Sequence, residues 1–194
     1  MQRHPFAGPT NDDAALVLRV SEGDGAAYRE LLRRHAPLLT HYARRLLRDE
    51  AEAEDVVQET FLRLWQRASD YVPSARVTTW LHRITHNLAV DRLRARGRWQ
   101  PFEEEDAEPI SAPQPRLLAS KRLADGLEAA LSDLPQRQAA ALMLVHLDGL
   151  TGSEAAEVLG VSAGALESLL ARGRRTLKVQ LQRRAIQSGS SHDL

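Results

Sequence analysis

The stretch Leu150 to Leu177, LTGSEAAEVLGVSAGALESLLARGRRTL, is punctuated as two short helices meeting at a tight turn. Thr151 can cap the first helix, and Glu154 completes the reciprocal pair of bonds that makes a capping box. Ala155, Ala156, Val158 and Leu159 supply a compact apolar face. Gly160 can take the left-handed conformation that ends a helix. Ser162 then caps a second helix, in which Leu166, Leu169 and Leu170 recur at helical spacing. Two helices joined in this way commonly hold the second in a DNA major groove. From Ser168 to His192 the chain carries Arg172, Arg174, Arg175, Lys178, Arg183 and Arg184 and no acid, a charge suited to a phosphate backbone. The plainer alternative for this segment is a solvated helical hairpin with a basic tail.

Net charge over the 194 residues is zero, so only the distribution of charge is informative. Arg76, Arg83, Arg92, Arg94, Arg96 and Arg98 face the single acid Asp91, and then Glu103, Glu104, Glu105, Asp106 and Glu108 follow without a Lys or Arg up to Pro115. Two basic blocks with an acidic stretch between them present two separate positive surfaces. The absence of cysteine removes disulfides, thiolate metal sites and cysteine nucleophiles. Neither a run long enough to cross a membrane nor the apolar core of a signal peptide is found, so a cytoplasmic chain with no membrane insertion is expected.

The expected fold is all-α, because Leu and Ala dominate and no alternating strand pattern occurs. Helices are expected at Asp12 to Val20, Ala26 to Leu47 (kinked or split at Pro37), Glu50 to Ala68 and Thr78 to Arg96. Further helices are expected at Leu117 to Leu131 and Pro135 to Leu147, the latter started by Ser132, Asp133 and Pro135. Pro101, Pro109, Pro113, Pro115 and the acidic run predict a flexible linker. Two small helical domains follow, at 12–98 and 116–187, joined by a linker at 99–115.

The helix holding DVVQETFLRLW has a core stripe of Val57, Phe61, Leu64 and Trp65. It has a second face of Asp55, Gln58, Glu59 and Leu62, suited to a basic protein partner. In WLHRITHNLAVDRLRARGR, Trp80, Ile84 and Leu88 share one face, with Leu81 beside them; Arg83, Asn87, Asp91 and Arg94 share another. Arginines there can hold phosphates and Asn87 can pair with a base edge. Tyr71 and Trp80 offer stacking surfaces for unpaired bases, although a core tryptophan is the plainer reading. His82 and His86 are four apart, but without a partnering Glu or Cys motif no metal is expected, and no cofactor. Nothing in the sequence argues for catalysis, so the chain is expected not to be an enzyme.

Taken in order, DVVQETFLRLW, TTWLHRITHNLAVDRLRARGR, a linker, and LSDLPQRQAAALMLVHLDGLTGSEAAEVLGVSAGALESLLARGRRTL resemble the bacterial sigma factors of the extracytoplasmic function (ECF) group, which keep only sigma regions two and four. The resemblance spans about residues 12–98 and 116–182 and implies a subunit of RNA polymerase that selects promoters, in a stress, envelope or environmental response. It implies that Asp55, Gln58, Glu59 and Leu62 dock on the clamp of core RNA polymerase. Tyr71, Trp80, Arg83, Asn87, Asp91 and Arg94 would open and read the minus-ten element of promoter DNA. Ser162, Glu167, Ser168, Arg172, Arg174 and Arg175 would read the minus-thirty-five element, and the linker would thread the polymerase. An anti-sigma factor is the implied regulatory partner.

Two departures bear on specificity. Ala165-Leu166-Glu167-Ser168-Leu169 stands where the family usually shows Thr-Val-Lys/Arg-Ser-Arg, so Glu167 either accepts from a cytosine amino group or repels phosphate. Val77 stands where an aromatic is common. The competing reading is a helix-turn-helix regulator that binds an operator.

Overall fold

In a computed structural model of the protein, residues 11–72, 76–99, 131 and 133–189 are described. The expected linker beyond Trp99, the helix expected at 117–131 up to Leu131, the cap at Ser132 and the loop at 73–75 lie outside the described residues. Every regular element among the described residues is helical.

The first half contains α1 (Asn11–Ser21), α2 (Gly25–Leu47), α3 (Glu50–Arg67), a 3₁₀ turn (Ala68–Asp70) and α4 (Val77–Ala95). Asp24 caps α2 by accepting from the Ala26 and Ala27 amides, while the Arg19 guanidinium reaches the same carboxylate at 2.6 Å. Asp49 caps α3 through the Glu52 amide. The two helices pack through Leu31, Leu39, Tyr42 and Leu46 of α2 and Val56, Phe61 and Leu64 of α3, all buried. Pro37 lies inside α2, which runs on as one helix. Its missing N–H falls on the exposed side, where water can serve the Arg33 carbonyl. The buried carboxylate of Asp13 meets His35 at 3.0 Å and Arg34 at 2.7 Å, which fastens α1 across α2.

The second half contains α5 (Gln136–Leu142), a π-helical turn (Met143–Leu147), α6 (Gly152–Leu159) and α7 (Ala163–Gly189). The sequence suggested one helix up to Leu147; instead the last turn widens, and the Asp148 amide reaches the Met143 carbonyl at 2.9 Å. Pro135 occupies the cap position of α5, and no side-chain bond caps it. α5 lies against α7, where Gly173 lets the helices approach closely: a Cβ there would stand 2.9 Å from Leu142 Cδ1 and 3.2 Å from Leu142 Cγ.

The halves are packed together. α6 lies on α4, and α5 touches α2. Arg48 donates to the Leu134 carbonyl and Gln136 to the Leu46 carbonyl. Trp99, just past α4, sits edge-on to His86 at 5.8 Å with the Arg137 guanidinium 4.8 Å over its ring.

Candidate functional site

α3 places its polar face outward because Val56, Val57, Thr60, Phe61 and Leu64 occupy the inner one. Asp55 and Gln58 are exposed there, and Leu62 keeps 48% of its surface. Glu59 holds Arg63 at 2.9 Å, one turn along. Asp55 stands 3.8 Å from Arg92 on α4, a distance at which an exposed pair contributes little. The four residues expected on one face are therefore together. Trp65, expected in the core, is instead 42% exposed, edge-on to Tyr28 at 5.4 Å. Val56 takes the inner position because α2 and α4 both press on that side of α3.

α4 carries Arg83, Asn87, Asp91 and Arg94 on exposed positions, one face as the spacing predicts. Its buried face is centred on Leu81, Thr85, Ala89 and Leu93, with Trp80 and Ile84 at the margin. This shift from the expected Trp80–Ile84–Leu88 stripe follows from packing on two sides, by α2 and α3 and by α6. The Thr60 and Thr85 hydroxyls meet across the α3–α4 contact at 3.1 Å. Trp80 is half-buried and lies against Tyr71, with ring centroids 5.4 Å apart and tilted 45°. Tyr71 itself is buried at 7% exposure, so its face is covered by the protein and only Trp80 retains open surface.

His82 and His86 do not converge on a shared ligand position. His82 Nδ1 meets the Thr78 carbonyl at 2.9 Å and Nε2 meets Asp148 at 2.8 Å. His86 Nδ1 meets the Tyr42 hydroxyl at 2.8 Å. Burial, with help from Arg137, His82 and Arg94, pushes the His86 pKa down to about 4, so its ring is neutral. These buried pairings had no signal in the spacing of the histidines. Among the described residues no group of His, Cys, Asp and Glu side chains could hold a metal ion.

The helix-turn-helix forms as its punctuation indicates. Thr151 Oγ1 accepts from the Glu154 amide at 3.3 Å, and Glu154 accepts from the Thr151 amide at 2.8 Å. Gly160 takes φ 63°, ψ 40°, the left-handed conformation that a glycine adopts without strain. Ser162 Oγ accepts from the Ala165 amide at 3.2 Å. On α7, Ser162, Glu167 and Arg175 are exposed and Arg172 and Arg174 half-buried. Ser168 departs from the other expected residues: it is 5% exposed, one turn from Ala165 and Ala171 on the inner face. Leu169 is buried on the same side.

Three comparisons agree with this arrangement. Residues 31–98 match the family description "Sigma-70 region 2", and residues 124–177 match "Sigma-70, region 4". The ECF RNA polymerase sigma factor SigE of Mycolicibacterium smegmatis is 35% identical over 94% of this chain and 74% of its own length. SigM of Mycobacterium tuberculosis is 33% identical over 85% of this chain and 82% of its own. Among solved structures, CnrH in complex with the cytosolic domain of CnrY superposes with a TM-score of 0.65 at 27% identity, covering 89% of this chain and 99% of that one. RpoE bound to the anti-sigma factor NepR, from Bartonella quintana, gives a TM-score of 0.62 at 27% identity, covering 80% and 96%.

A region-two bundle followed by a region-four helix-turn-helix defines a promoter-selecting subunit of RNA polymerase. The chain belongs to the ECF RNA polymerase sigma factors. It is an alternative sigma factor that directs transcription initiation through core RNA polymerase and promoter DNA, and the operator-binding reading is not favoured. Members of this family are regulators of transcription rather than catalysts. Among the described residues no helix is long and apolar enough to cross a membrane.

Proposed function

We propose that the two exposed faces of region two divide the work of initiation. The face of α3 with Asp55, Gln58, Glu59 and Leu62 docks on the clamp of core polymerase: an exposed apolar side chain among acids suits a basic, partly apolar partner surface. The face of α4 with Arg83, Asn87, Asp91 and Arg94 reads the minus-ten element, where guanidinium groups hold phosphate and Asn87 supplies a paired donor and acceptor. Trp80 supplies the stacking surface for an unpaired base, with Tyr71 as the wall behind it. Region four reads the minus-thirty-five element through Ser162 and Glu167, while Arg172, Arg174 and Arg175 hold the backbone. Residues 12–98 and 116–187 act as the two functional units.

The observation that carries this reading is the exposure of both polar faces on helices whose other sides are packed. The neighbouring structures hold their sigma factors bound by an anti-sigma protein or its counterpart, and an anti-sigma partner is proposed for this chain on that ground. Run-off transcription with core polymerase on DNA from the source genome tests the division. Specific starts should depend on the protein. They should vanish with Asp55→Ala plus Gln58→Ala through lost polymerase binding, and with Asn87→Ala while polymerase binding persists. Equal starts from all three proteins would refute the assignment.

A further inference from the structure

The second helix of the helix-turn-helix carries an acid on a face where contact with DNA favours cations. α7 starts at Ala163, so Glu167 is its fifth residue and lies in the first two turns. At about 100° per residue, Ala163 and Gly164 flank it by about 40° and 60° on either side, and Ala171 follows one turn on at about 40°. Ser162, Ala163, Gly164 and Glu167 are exposed, while Leu166, Leu169 and Leu170 are buried. Glu167 is therefore the only long side chain exposed between Ser162 and Ala171. Its small neighbours let the helix lie deep in a groove, and the carboxylate reaches furthest toward the groove floor.

The carboxylate also lacks a neutralising neighbour along its own helix. Glu30 and Glu59, by contrast, are held one turn on by Arg34 at 2.6 Å and Arg63 at 2.9 Å. Around Glu167 the positions three and four away are Ala163, Gly164, Leu170 and Ala171, none of which carries charge. The cations of α7 come later, Arg172 and Arg174 half-buried, Arg175 and Lys178 exposed. The helix is thus divided along its length, with an acceptor near its start and cations beyond. In a helix-turn-helix the start of the second helix meets base edges, and cations beyond it suit phosphates.

Charge and position together select a base. A carboxylate only accepts hydrogen bonds. In the major groove guanine offers two acceptors and thymine an acceptor beside a methyl group, so both disfavour it. Adenine offers an amino donor beside an acceptor nitrogen, whereas cytosine offers an amino donor with no acceptor at its side. We propose that Glu167 is a specificity-determining residue that selects a cytosine in the minus-thirty-five element by accepting from its amino group. Arg172, Arg174 and Arg175 offset the repulsion between the carboxylate and the phosphates. This inference deepens the reading of region four as the minus-thirty-five reader and rests on it. Its consequence is an element that differs at one pair from the guanine that an Arg or Lys at this position would select.

Glu167 is exposed, so substitution there spares the core. The minus-thirty-five element of a promoter found by run-off transcription is randomised and transcribed with core polymerase and the full chain, and the productive sequences are counted. The parent protein should prefer cytosine about tenfold over guanine or thymine at one position. Glu167→Ala should remove that preference. Glu167→Gln should move it to adenine, whose edge an amide pairs with, and Glu167→Arg should move it to guanine. Preferences at the other positions should stay. A pattern of preference unchanged in all three variants overturns the inference while region four keeps its role; a uniform rise in transcription on every sequence would then mark the carboxylate as a group that only repels phosphate. A parent preference for another base at the position these variants alter overturns it equally. Protein-dependent starts that ignore the minus-thirty-five sequence altogether overturn the reading of region four, and the inference with it.

Discussion

Acidification from pH 7.5 to 5 should loosen this fold, and His86 is the group that sets the size of the effect. Its ring is 4% exposed, and its Nδ1 accepts from the Tyr42 hydroxyl at 2.8 Å. Burial raises the Tyr42 pKa, so the phenol stays a donor. Burial, reinforced by Arg137, His82 and Arg94, holds His86 at about 4 against 6.5 for a free imidazole. Between those values the unfolded chain binds a proton that the folded chain does not. Stability therefore rises with pH across that window and is lost on acidification. At pH 7.5 neither state is protonated and the term vanishes. At pH 5 the unfolded imidazole is favoured by a factor of about 30, which is roughly 2 kcal/mol. His41 and His146, also pushed down by burial, act with the same sign. Asp13, Asp24, Glu30 and Glu154, held below the usual carboxylate range, lose their contribution mainly below that window. His86→Gln isolates the term, because an amide can still accept from Tyr42 but does not titrate. Urea unfolding of both proteins at pH 7.5 and 5, followed by circular dichroism, should show a loss about 2 kcal/mol smaller in the variant. An equal loss in both, or a His86 ring resonance that titrates near the free value, would refute the reasoning.

Other perturbations probe separate parts of the argument. Tyr42→Phe should destabilise by about 1–3 kcal/mol, read from urea unfolding, because it leaves the buried His86 nitrogen without a donor. Gly173→Ala gains helix propensity of up to ~1 kcal/mol but drives a methyl into Leu142, an overpacking penalty of about 1–3 kcal/mol. A net loss of melting temperature is expected, and Gly173→Ala with Leu142→Ala should recover part of it. Thr151→Ala removes the side-chain half of the capping box on α6 and should cost about 1 kcal/mol of stability in thermal unfolding. Ser168→Ala should leave minus-thirty-five selectivity unchanged in a promoter-variant run-off series, whereas Glu167→Gln should alter it, because only the latter side chain faces outward.

What the sequence made legible was local. Thr151, Glu154, Gly160 and Ser162 fixed the ends of two helices by bonds within a few residues of each other, and those bonds formed. The polar faces of α3 and α4 were likewise readable, since one helical period is enough to align Asp55 with Leu62 and Arg83 with Asn87. What escaped was whatever two elements far apart in the chain decide jointly. By residue type Tyr71 and Trp80 are both candidates for stacking, with the core the plainer place for Trp80, but only the fold shows the two rings against each other and Tyr71 as the buried one. Ser168 looked available on the recognition helix, yet the inner face of α7 is wider than its leucines suggest because α5 and α6 both lie on it. His82 and His86 looked like a pair because they sit one turn apart; their partners come from opposite directions, Asp148 from region four and Tyr42 from α2.

Glu154 shows why such long-range features leave little trace in a sequence. Its first role, capping α6, is satisfied by Thr151 alone, and the capping signature accounts fully for its presence. Its second role, holding Arg76 and Thr79 of region two, uses both oxygens: Thr79 donates to Oε1, while Arg76 meets Oε2, which also accepts from Thr151. Burial would raise the Glu154 pKa, but the Thr151 amide and hydroxyl, Thr79 and Arg76 together lower it, so it is a carboxylate at neutral pH and presents full charge to α4. A residue already explained locally raises no question, and its contact across the halves becomes visible only when both are in place. The same side chain thereby couples the capping of α6 to its packing on α4. Substitution by Ala would disturb both roles, whereas Gln preserves the first and weakens the second. That difference is the physical basis for separating a defect in the cap of α6 from a weakened contact between α6 and α4.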